Sequence, residues 1–224
     1  MGIGSLALKI QLLCYSLLLM ATTCFTVQSQ ERYFYVPTGS VTEKEDLRFQ
    51  GYVHFFQGGK FSLLESMYGI SGNNEIGVFA WHLNGSLFYY GLNYQHTFEI
   101  DKNINASILG ITSIGGSHGT ALHIIPSIQF KKLTKESNAT VGLLYGRKNN
   151  NVSYLHLVMG VDYDFKIDKV LLKGELITGT NWNSGLYIGG MYNINYNIKS
   201  SLGICIKNFN GLSNQATFQV QYNP

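Results

Sequence analysis

The feature that most constrains this chain is an alternation of polar and apolar residues in successive short segments. From residue 47 onward, segments of roughly nine to twelve residues alternate in this way, and clusters of Asn, Gly, Ser, Asp and Lys separate them. Residues 216–222 (ATFQVQY) are the clearest case, because aromatic and aliphatic side chains alternate there with Thr and Gln. A period of two residues places these side chains on opposite faces of a β-strand. The chain is therefore predicted to be all-β.

The spacing of these segments predicts about twelve strands, with ten as the alternative count because the first two are weakly separated. The predicted bounds are 47–56, 60–69, 74–83, 86–99, 103–113, 120–131, 138–147, 153–166, 169–178, 185–197, 200–208 and 214–222. Pro126 falls inside one of them, and we expect a β-bulge there because Pro cannot donate to a sheet ladder. A turn is predicted at Lys199. An even number of antiparallel strands places both ends of the sheet on one side.

Composition distinguishes a membrane barrel from a soluble sandwich. Charged residues make up 13% of the chain and hydrophobic residues 45%, whereas an average soluble domain is about 25% charged. After residue 30 the apolar runs are much shorter than the about 20 residues that a membrane helix requires. The polar faces are rich in Gly, Asn, Gln and Ser, which suits a crowded lumen, and aromatic residues lie near the strand ends. These features predict a closed antiparallel transmembrane β-barrel.

The first 29 residues have the pattern of a secretory signal peptide. Lys9 is the only charged residue, and an apolar core follows over residues 10–25. Val27 and Ser29 stand at positions minus three and minus one relative to cleavage before Gln30, where small residues are accepted. The expected organisation is a signal peptide at 1–29, a periplasmic segment at 30–46 and the barrel at 47–224.

Two other interpretations of the leader are an uncleaved N-terminal anchor and a lipoprotein attached through Cys24. The apolar core is short for a membrane span, and the residues before Cys24, ATT, make a poor lipoprotein signal. After the leader only Cys205 remains, so no disulfide within the exported chain is expected.

Charged side chains on the predicted inward faces are the candidate functional residues. Lys173 and Glu175 are two residues apart on one strand and share a face. A second cluster is predicted in the first hairpin from Arg48, His54 and Glu65. The full set of lumen-lining candidates is Arg48, His54, Glu65, His156, Asp162, Lys173, Glu175 and Lys207. Charged side chains in a pore can select its solutes. The structural alternative is a network of ion pairs that fills a narrow barrel, because buried charges must be paired.

An enzyme is not expected from the motifs. His123 and Ser127 share a predicted inward face, but four residues along a strand separate them by about 13 Å, so they cannot contact each other. Ser117 and His118 lie in a predicted outer loop that no helix follows, so Gly115-x-Ser117-x-Gly119 does not have the strand-to-helix turn on which such a motif presents its serine. No catalytic residue is therefore predicted.

No cofactor, metal or nucleic acid is expected either. Asp162 and Asp164 are the only closely spaced pair of metal-ligand type in the predicted strands, and they lie beside a turn, where solvated acids are common. The net charge is +3, and the Lys and Arg residues are scattered. Nucleic acid is not expected as a partner, because the sequence has no basic patch that could bind its phosphates.

The strand–turn–strand pattern of SLLESMYGISGNNEIGVFAW (62–81) and KGELITGTNWNSGLYIGGMYNINYNIKSSLGI (173–204) resembles bacterial outer-membrane β-barrel proteins of the porin-like type. The abundance of Asn, Ile, Lys and Tyr and the Ser-Gln at the leader end are similar to exported proteins of the Bacteroidetes. The resemblance covers about residues 47–224 and concerns architecture, so it supplies no catalytic residue. One departure is that such barrels end on an aromatic residue, whereas Tyr222 is followed here by Asn223 and Pro224.

The resemblance implies a location in the bacterial outer membrane, contact with its lipid, and a role as a narrow porin-like channel or a barrel that binds a small polar solute. Two alternatives remain at this point. One is an outer-membrane lipid-modifying hydrolase that uses His118 or His123. The other is a structural or adhesive barrel that transports no solute and binds partners through outer loops near Trp182.

Overall fold

The computed structural model describes residues 41–84, 87–115, 119–134, 137–148, 153–164, 170–179, 184–207 and 214–224. The predicted leader, Ser117, His118 and Trp182 lie outside these ranges. No helix within them is long and apolar enough to cross a membrane. The strands are β1 (Leu47–Phe56), β2 (Gly59–Ser71), β3 (Asn74–Leu83), β4 (Leu87–Asp101), β5 (Ile104–Gly115), β6 (Thr120–Thr134), β7 (Ser137–Lys148), β8 (Ser153–Asp164), β9 (Val170–Ile177), β10 (Gly185–Asn193), β11 (Ile198–Ile206) and β12 (Gln215–Tyr222).

The twelve strands form one closed antiparallel barrel in which each strand pairs with its neighbours in sequence. Closure is made by β1 and β12, which pair from Phe49 opposite Tyr222 to Phe56 opposite Gln215. The prediction of a closed all-β barrel is confirmed, with the count of twelve rather than the alternative of ten. We call the end that carries the start of β1 and the end of β12 the terminal rim, and the opposite end the distal rim.

The barrel is apolar outside and polar inside. Along β12 the Gln and Thr side chains are buried, while Phe218 and Val220 between them are exposed. On other strands Leu64, Leu155 and Leu202 are 68%, 63% and 66% exposed on the outer surface. Apolar residues of this size, continuous around the barrel, would be costly in water and suit the hydrocarbon of a bilayer.

Pro126 does not cause the expected bulge. Its side chain points outward, and β5 pairs with β6 without a register shift on either side of it, with Ile108 opposite Pro126. On the β7 side the pairs at Ile124 and Ser127 also keep one register. The prediction of a bulge was therefore wrong: the pairing with β7 is interrupted at Ile125 and Pro126, where Pro cannot donate, and resumes in the same register.

The bulges of the barrel lie near the terminal rim instead. Register shifts occur between Gly69 and Ser71, between Glu99 and Asp101, and between Phe130 and Thr134. The last of these includes Lys132, whose φ of 53° is in the left-handed region. Bulges at a barrel rim are common because they accommodate the strand ends as they leave the ladder.

The turn between β10 and β11 also differs from the prediction. The predicted strand 185–197 continued through Ile194 and Tyr196, with a turn at Lys199, whereas β10 ends at Asn193 and the turn spans residues 194–197. The side-chain oxygen of Asn195 accepts hydrogen bonds from the backbone N–H groups of Asn197 (2.9 Å) and Ile198 (2.8 Å). This local bonding favours a turn over the strand that the apolar alternation indicated.

A lipid-facing outer surface predicts a large cost for Leu92→Arg, near the middle of β4, where the side chain is 51% exposed. We expect a loss of about 2–4 kcal/mol in the free energy of unfolding, measured by urea titration in lipid vesicles, because Arg is unfavourable at the bilayer midplane. Tyr196→Arg, at the terminal rim and 93% exposed, is the control and should change it by less than about 0.5 kcal/mol. Equal small effects at both positions would contradict a membrane-facing surface.

Candidate functional site

The lumen of the barrel is the candidate site, and its wall is polar and crowded. Gln95 on β4 and Gln219 and Gln221 on β12 are long side chains, yet they are only 0%, 2% and 2% exposed. Side chains of this length can be so well shielded only if they pack against their neighbours across or along the wall. The interior is therefore narrow, as a barrel between the filled eight-stranded and the open sixteen-stranded sizes should be.

The predicted lumen residues all occupy inward-facing positions. Buried ones are Arg48, His54, Glu65, Asp162, Lys173 and Glu175, and partly buried ones are His156 and Lys207. Whether they act on a solute stays a prediction, but their surroundings show what each of them contacts.

Arg48 is bound by a partner that the sequence did not indicate. Its Nη2 lies 3.0 and 3.1 Å from the two carboxylate oxygens of Glu75 on β3. Arg48 is 1% exposed and Glu75 is fully buried. A buried charge pair of this kind is costly to desolvate. Removing either partner alone strongly destabilises the fold, because the other charge stays buried without compensation. The alternation Glu75, Gly77, Phe79 along β3 could have identified Glu75 as inward-facing.

His54 lies apart from Arg48, with which it was grouped in the cluster predicted for the first hairpin. Glu65 accepts a hydrogen bond from the side-chain amide of Asn93 on β4, and Nδ1 of His54 lies 2.8 Å from the hydroxyl of Thr217 on β12. His54 is six residues from Arg48 along β1, which is about 20 Å of extended strand. The grouping of His54 with Arg48 was wrong because each side chain meets partners at its own height in the barrel. Glu65 lies one diagonal step from Arg48 on the same face, opposite Gln50 in the ladder of β1 and β2.

Opposite charges face each other between β8 and β9. Asp162 and Lys173 are directly opposite in the ladder, both inward and both buried. One oxygen of Asp162 also accepts hydrogen bonds from Asn138 on β7, from its backbone N–H at 3.2 Å and its side-chain amide at 2.8 Å. Oppositely charged residues at directly opposed positions attract each other across antiparallel strands.

Glu175 and Lys207 lie closer to the distal rim. Glu175 is opposite Tyr187 of β10 in the ladder. Nζ of Lys207 donates a hydrogen bond of 2.9 Å to the hydroxyl of Tyr187 and lies 5.1 Å from the centre of its ring. Tyr187, which the sequence did not identify, thus stands between the acid and the cation.

Aromatic side chains line the distal half of the lumen. The rings of Trp81 and Tyr89 are stacked with centroids 3.7 Å apart, and Phe61 lies 5.2 Å from Trp81. On the inner face of β6 and β8, Tyr154 contacts two histidines. Its hydroxyl is 2.6 Å from Nε2 of His123, and its ring is stacked on that of His156 with centroids 5.0 Å apart. These contacts fix the rings and narrow the lumen near the distal rim.

The residues considered for hydrolysis have other partners. His123 contacts Tyr154, and the hydroxyl of Ser127 lies 2.8 Å from that of Ser107 on β5. The serine and histidine therefore do not form the hydrogen bond that a nucleophile and its base require. Within the described part of the chain, no three His, Cys, Asp or Glu side chains are grouped so that they could hold a metal ion.

Comparison with known proteins finds similarity in structure but not in sequence. No family model matches the chain, and no curated protein matches its sequence significantly. The KdgM porin superposes with a TM-score of 0.65 at 11% identity, covering 78% of this chain and 98% of that one. The NanC porin superposes with a TM-score of 0.57 at 12% identity, covering 79% and 98%. The outer membrane protein Omp33 of Acinetobacter baumannii superposes with a TM-score of 0.51 at 10% identity, covering 81% and 99%. The chain therefore shares the barrel fold of these outer-membrane proteins, as the porin-like resemblance indicated.

The buried pair of Arg48 and Glu75 predicts non-additive effects on stability. Arg48→Met or Glu75→Gln alone should lower the free energy of unfolding by about 3–5 kcal/mol, because each leaves one charge buried without its counterpart. The double variant should cost clearly less than the sum of the two. Urea titration of the folded barrel in lipid vesicles measures all three.

The control is Lys44→Met, which removes the exposed pair of Lys44 and Glu45 (3.2 Å) and should change stability by less than about 0.5 kcal/mol. Strictly additive effects of the two substitutions at Arg48 and Glu75 would contradict a coupled pair.

Proposed function

We propose that this protein is a narrow porin-like channel of the bacterial outer membrane that passes small polar solutes. The observation that carries the proposal is the inverted distribution of residues: an apolar surface faces outward all around a closed barrel, and the polar and charged residues line its interior. A barrel with this distribution suits lipid outside and a polar path inside.

The proposed location in the bacterial outer membrane rests on two further points. Solved structures that share this barrel fold include proteins named as porins or outer membrane proteins. The leader proposed for residues 1–29 would direct export. A barrel exported in this way has its terminal rim, where the first strand begins and the last strand ends, on the periplasmic side, as in outer-membrane barrels with an even number of strands.

The charges of the lumen favour neutral or cationic solutes over acidic ones. The buried charged residues among those described are the cations Arg48 and Lys173 and the acids Glu65, Glu75, Asp162 and Glu175. Acids exceed cations by four to two among these buried residues, and the partly buried Lys131, Lys199 and Lys207 lie toward the rims rather than in the middle of the lumen. A KdgM structure is described as a complex with disordered oligogalacturonate, which is an acidic saccharide. The interior charge of the present chain argues for a different selectivity.

Polar groups in the lumen wall favour a solute that can form hydrogen bonds. The side-chain amide of Gln50 is buried, and neither its nitrogen nor its oxygen has a hydrogen-bond partner among the described residues. The side-chain oxygen of Gln219, on the adjacent β12, has no such partner there either. Buried polar groups are costly unless they are bonded. A hydroxyl-rich or otherwise polar solute would provide those bonds once neighbouring side chains rotate to admit it.

Conductance of the purified barrel in planar lipid bilayers tests the channel. We expect small, discrete current steps, because the lumen is narrow. The control is the same protein unfolded in detergent by heat, which should insert no channels. A folded barrel that inserts into the bilayer without any conductance would overturn the proposal.

The charge preference is measured by the reversal potential across a KCl gradient. At about 0.1 M salt we expect K⁺ to permeate roughly threefold or more over Cl⁻, because a field within a narrow, partly screened lumen concentrates counter-ions. Glu65→Gln with Glu175→Gln should lower this ratio. Glu99→Gln, at an exposed carboxylate near the terminal rim, should change it little. A preference for Cl⁻ in the unchanged protein would reject an acid-rich lumen as the source of selectivity.

A second candidate function is a structural or adhesive barrel that transports no solute. The observation that favours it is the close shielding of inward side chains, since Gln95, Thr140 and Glu75 are all fully buried. The bilayer measurement separates the two, because only the channel predicts current.

A further inference from the structure

The chain reverses direction just before it enters the barrel wall. The backbone N–H of Asp46 donates a hydrogen bond of 3.1 Å to the carbonyl of Glu43, and Glu45 between them has a φ of 68°, in the left-handed region. A non-glycine residue with this backbone is uncommon and marks a tight turn. Because the turn lies at the start of β1, residues 41 and 42 run back into the barrel rather than away from it.

The turn is seated on Gly69 of β2. The N–H of Glu45 donates to the carbonyl of Gly69 at 2.7 Å, and the N–H of Gly69 donates to the carbonyl of Asp46 at 3.0 Å. Gly69 is buried on the inward side of its strand. A Cβ at this position would collide with the backbone carbonyl of Glu43. The wall thus has a glycine where the reversed chain crosses it, which permits the close approach.

Inside the barrel the segment is held by Glu75. Both the backbone N–H and the hydroxyl of Thr42 donate to one carboxylate oxygen of Glu75, at 2.8 and 2.7 Å. The same carboxylate binds Arg48. Thr42 is fully buried and Val41 is 5% exposed. Hydrogen bonds to a charged acceptor are stronger than those between neutral groups, so this contact fixes the segment within the mouth of the lumen.

We propose that residues 41–46, here called the strap, close part of the lumen at the terminal rim, and that release of Thr42 from Glu75 opens it. The contacts that seat the strap in the mouth do not depend on whether the barrel conducts. Its effect on passage rests on the channel function proposed above. Glu75 then has two tasks, since it balances Arg48 in the wall and holds the strap across the mouth.

Thiol labelling tests the seating. Val41→Cys places a thiol at a buried position of the strap, and Glu43→Cys, at an exposed residue of the same segment, is the matched control. The parent chain, in which Cys205 is fully buried, supplies the background. With a water-soluble maleimide and the barrel folded in lipid vesicles, the thiol at 41 should react at least about tenfold more slowly than the thiol at 43, because it becomes accessible only when the segment opens locally.

Thr42→Pro is the variant that releases the strap. It removes both the N–H and the hydroxyl that bind Glu75, while it leaves Arg48 and Glu75 in place. Combined with Val41→Cys, it should raise the labelling rate at 41 to within about threefold of that at 43. Without the added cysteine it should raise the mean conductance about twofold or more. Thr42→Val, which removes only the hydroxyl, replaces Thr42→Pro if that variant does not fold. It should raise the labelling rate at 41 by a smaller factor than Thr42→Pro would, because the N–H bond to Glu75 remains.

The outcomes separate the two proposals. Equal labelling at 41 and 43 in the otherwise unchanged chain would show that the strap is not seated and would overturn the inference. Faster labelling in Thr42→Pro with unchanged conductance would overturn its role in closing the mouth. Absence of conductance in every variant would overturn the proposed channel, and with it the closing role, while the labelling would still decide the seating.

Discussion

The pairing of β1 with β12 is the interaction on which the rest of this structure depends. In hydrocarbon no water is present to bond an exposed N–H or C=O, so a sheet with a free edge is not viable there. The ladder from Phe49 opposite Tyr222 to Phe56 opposite Gln215 removes that edge. Once the sheet is closed, each strand has one face toward lipid and one toward a confined interior, and the alternation in the sequence follows from this geometry.

Closure also determines how charge is handled. A side chain on the inner wall can reach partners on neighbouring strands and cannot easily reach bulk water, so an ionised group has to be compensated locally. Arg48 and Glu75 meet across β2, and Asp162 lies opposite Lys173. The narrowness of the lumen therefore makes its charges part of the stability of the wall. The two interpretations of the lumen charges, functional and structural, are compatible for the same residues.

The alternation made the fold predictable, because a two-residue period in every segment has few structural solutions when charged residues are scarce. The partners of the site were less predictable. The sequence grouped Arg48 with Glu65, whereas the carboxylate that binds Arg48 is that of Glu75 on β3, beyond the intervening strand β2. Strand periodicity gives the face of a residue and not its height in the barrel, which depends on the register of all the strands between. The expected bulge at Pro126 failed for a related reason, since the sequence shows that a donor is lost but not that the ladder keeps its register around it.

The opposed positions of Asp162 and Lys173 have a consequence for how the barrel assembles. A slip of one residue in the register of β9 would exchange its two faces, so Lys173 and Glu175 would turn toward lipid together. A lysine near the bilayer midplane costs about 2–4 kcal/mol. The correct register of β8 with β9 is thus favoured, because a slipped register would expose charged side chains to lipid. The inward-facing charges therefore help to specify how the strands align during assembly.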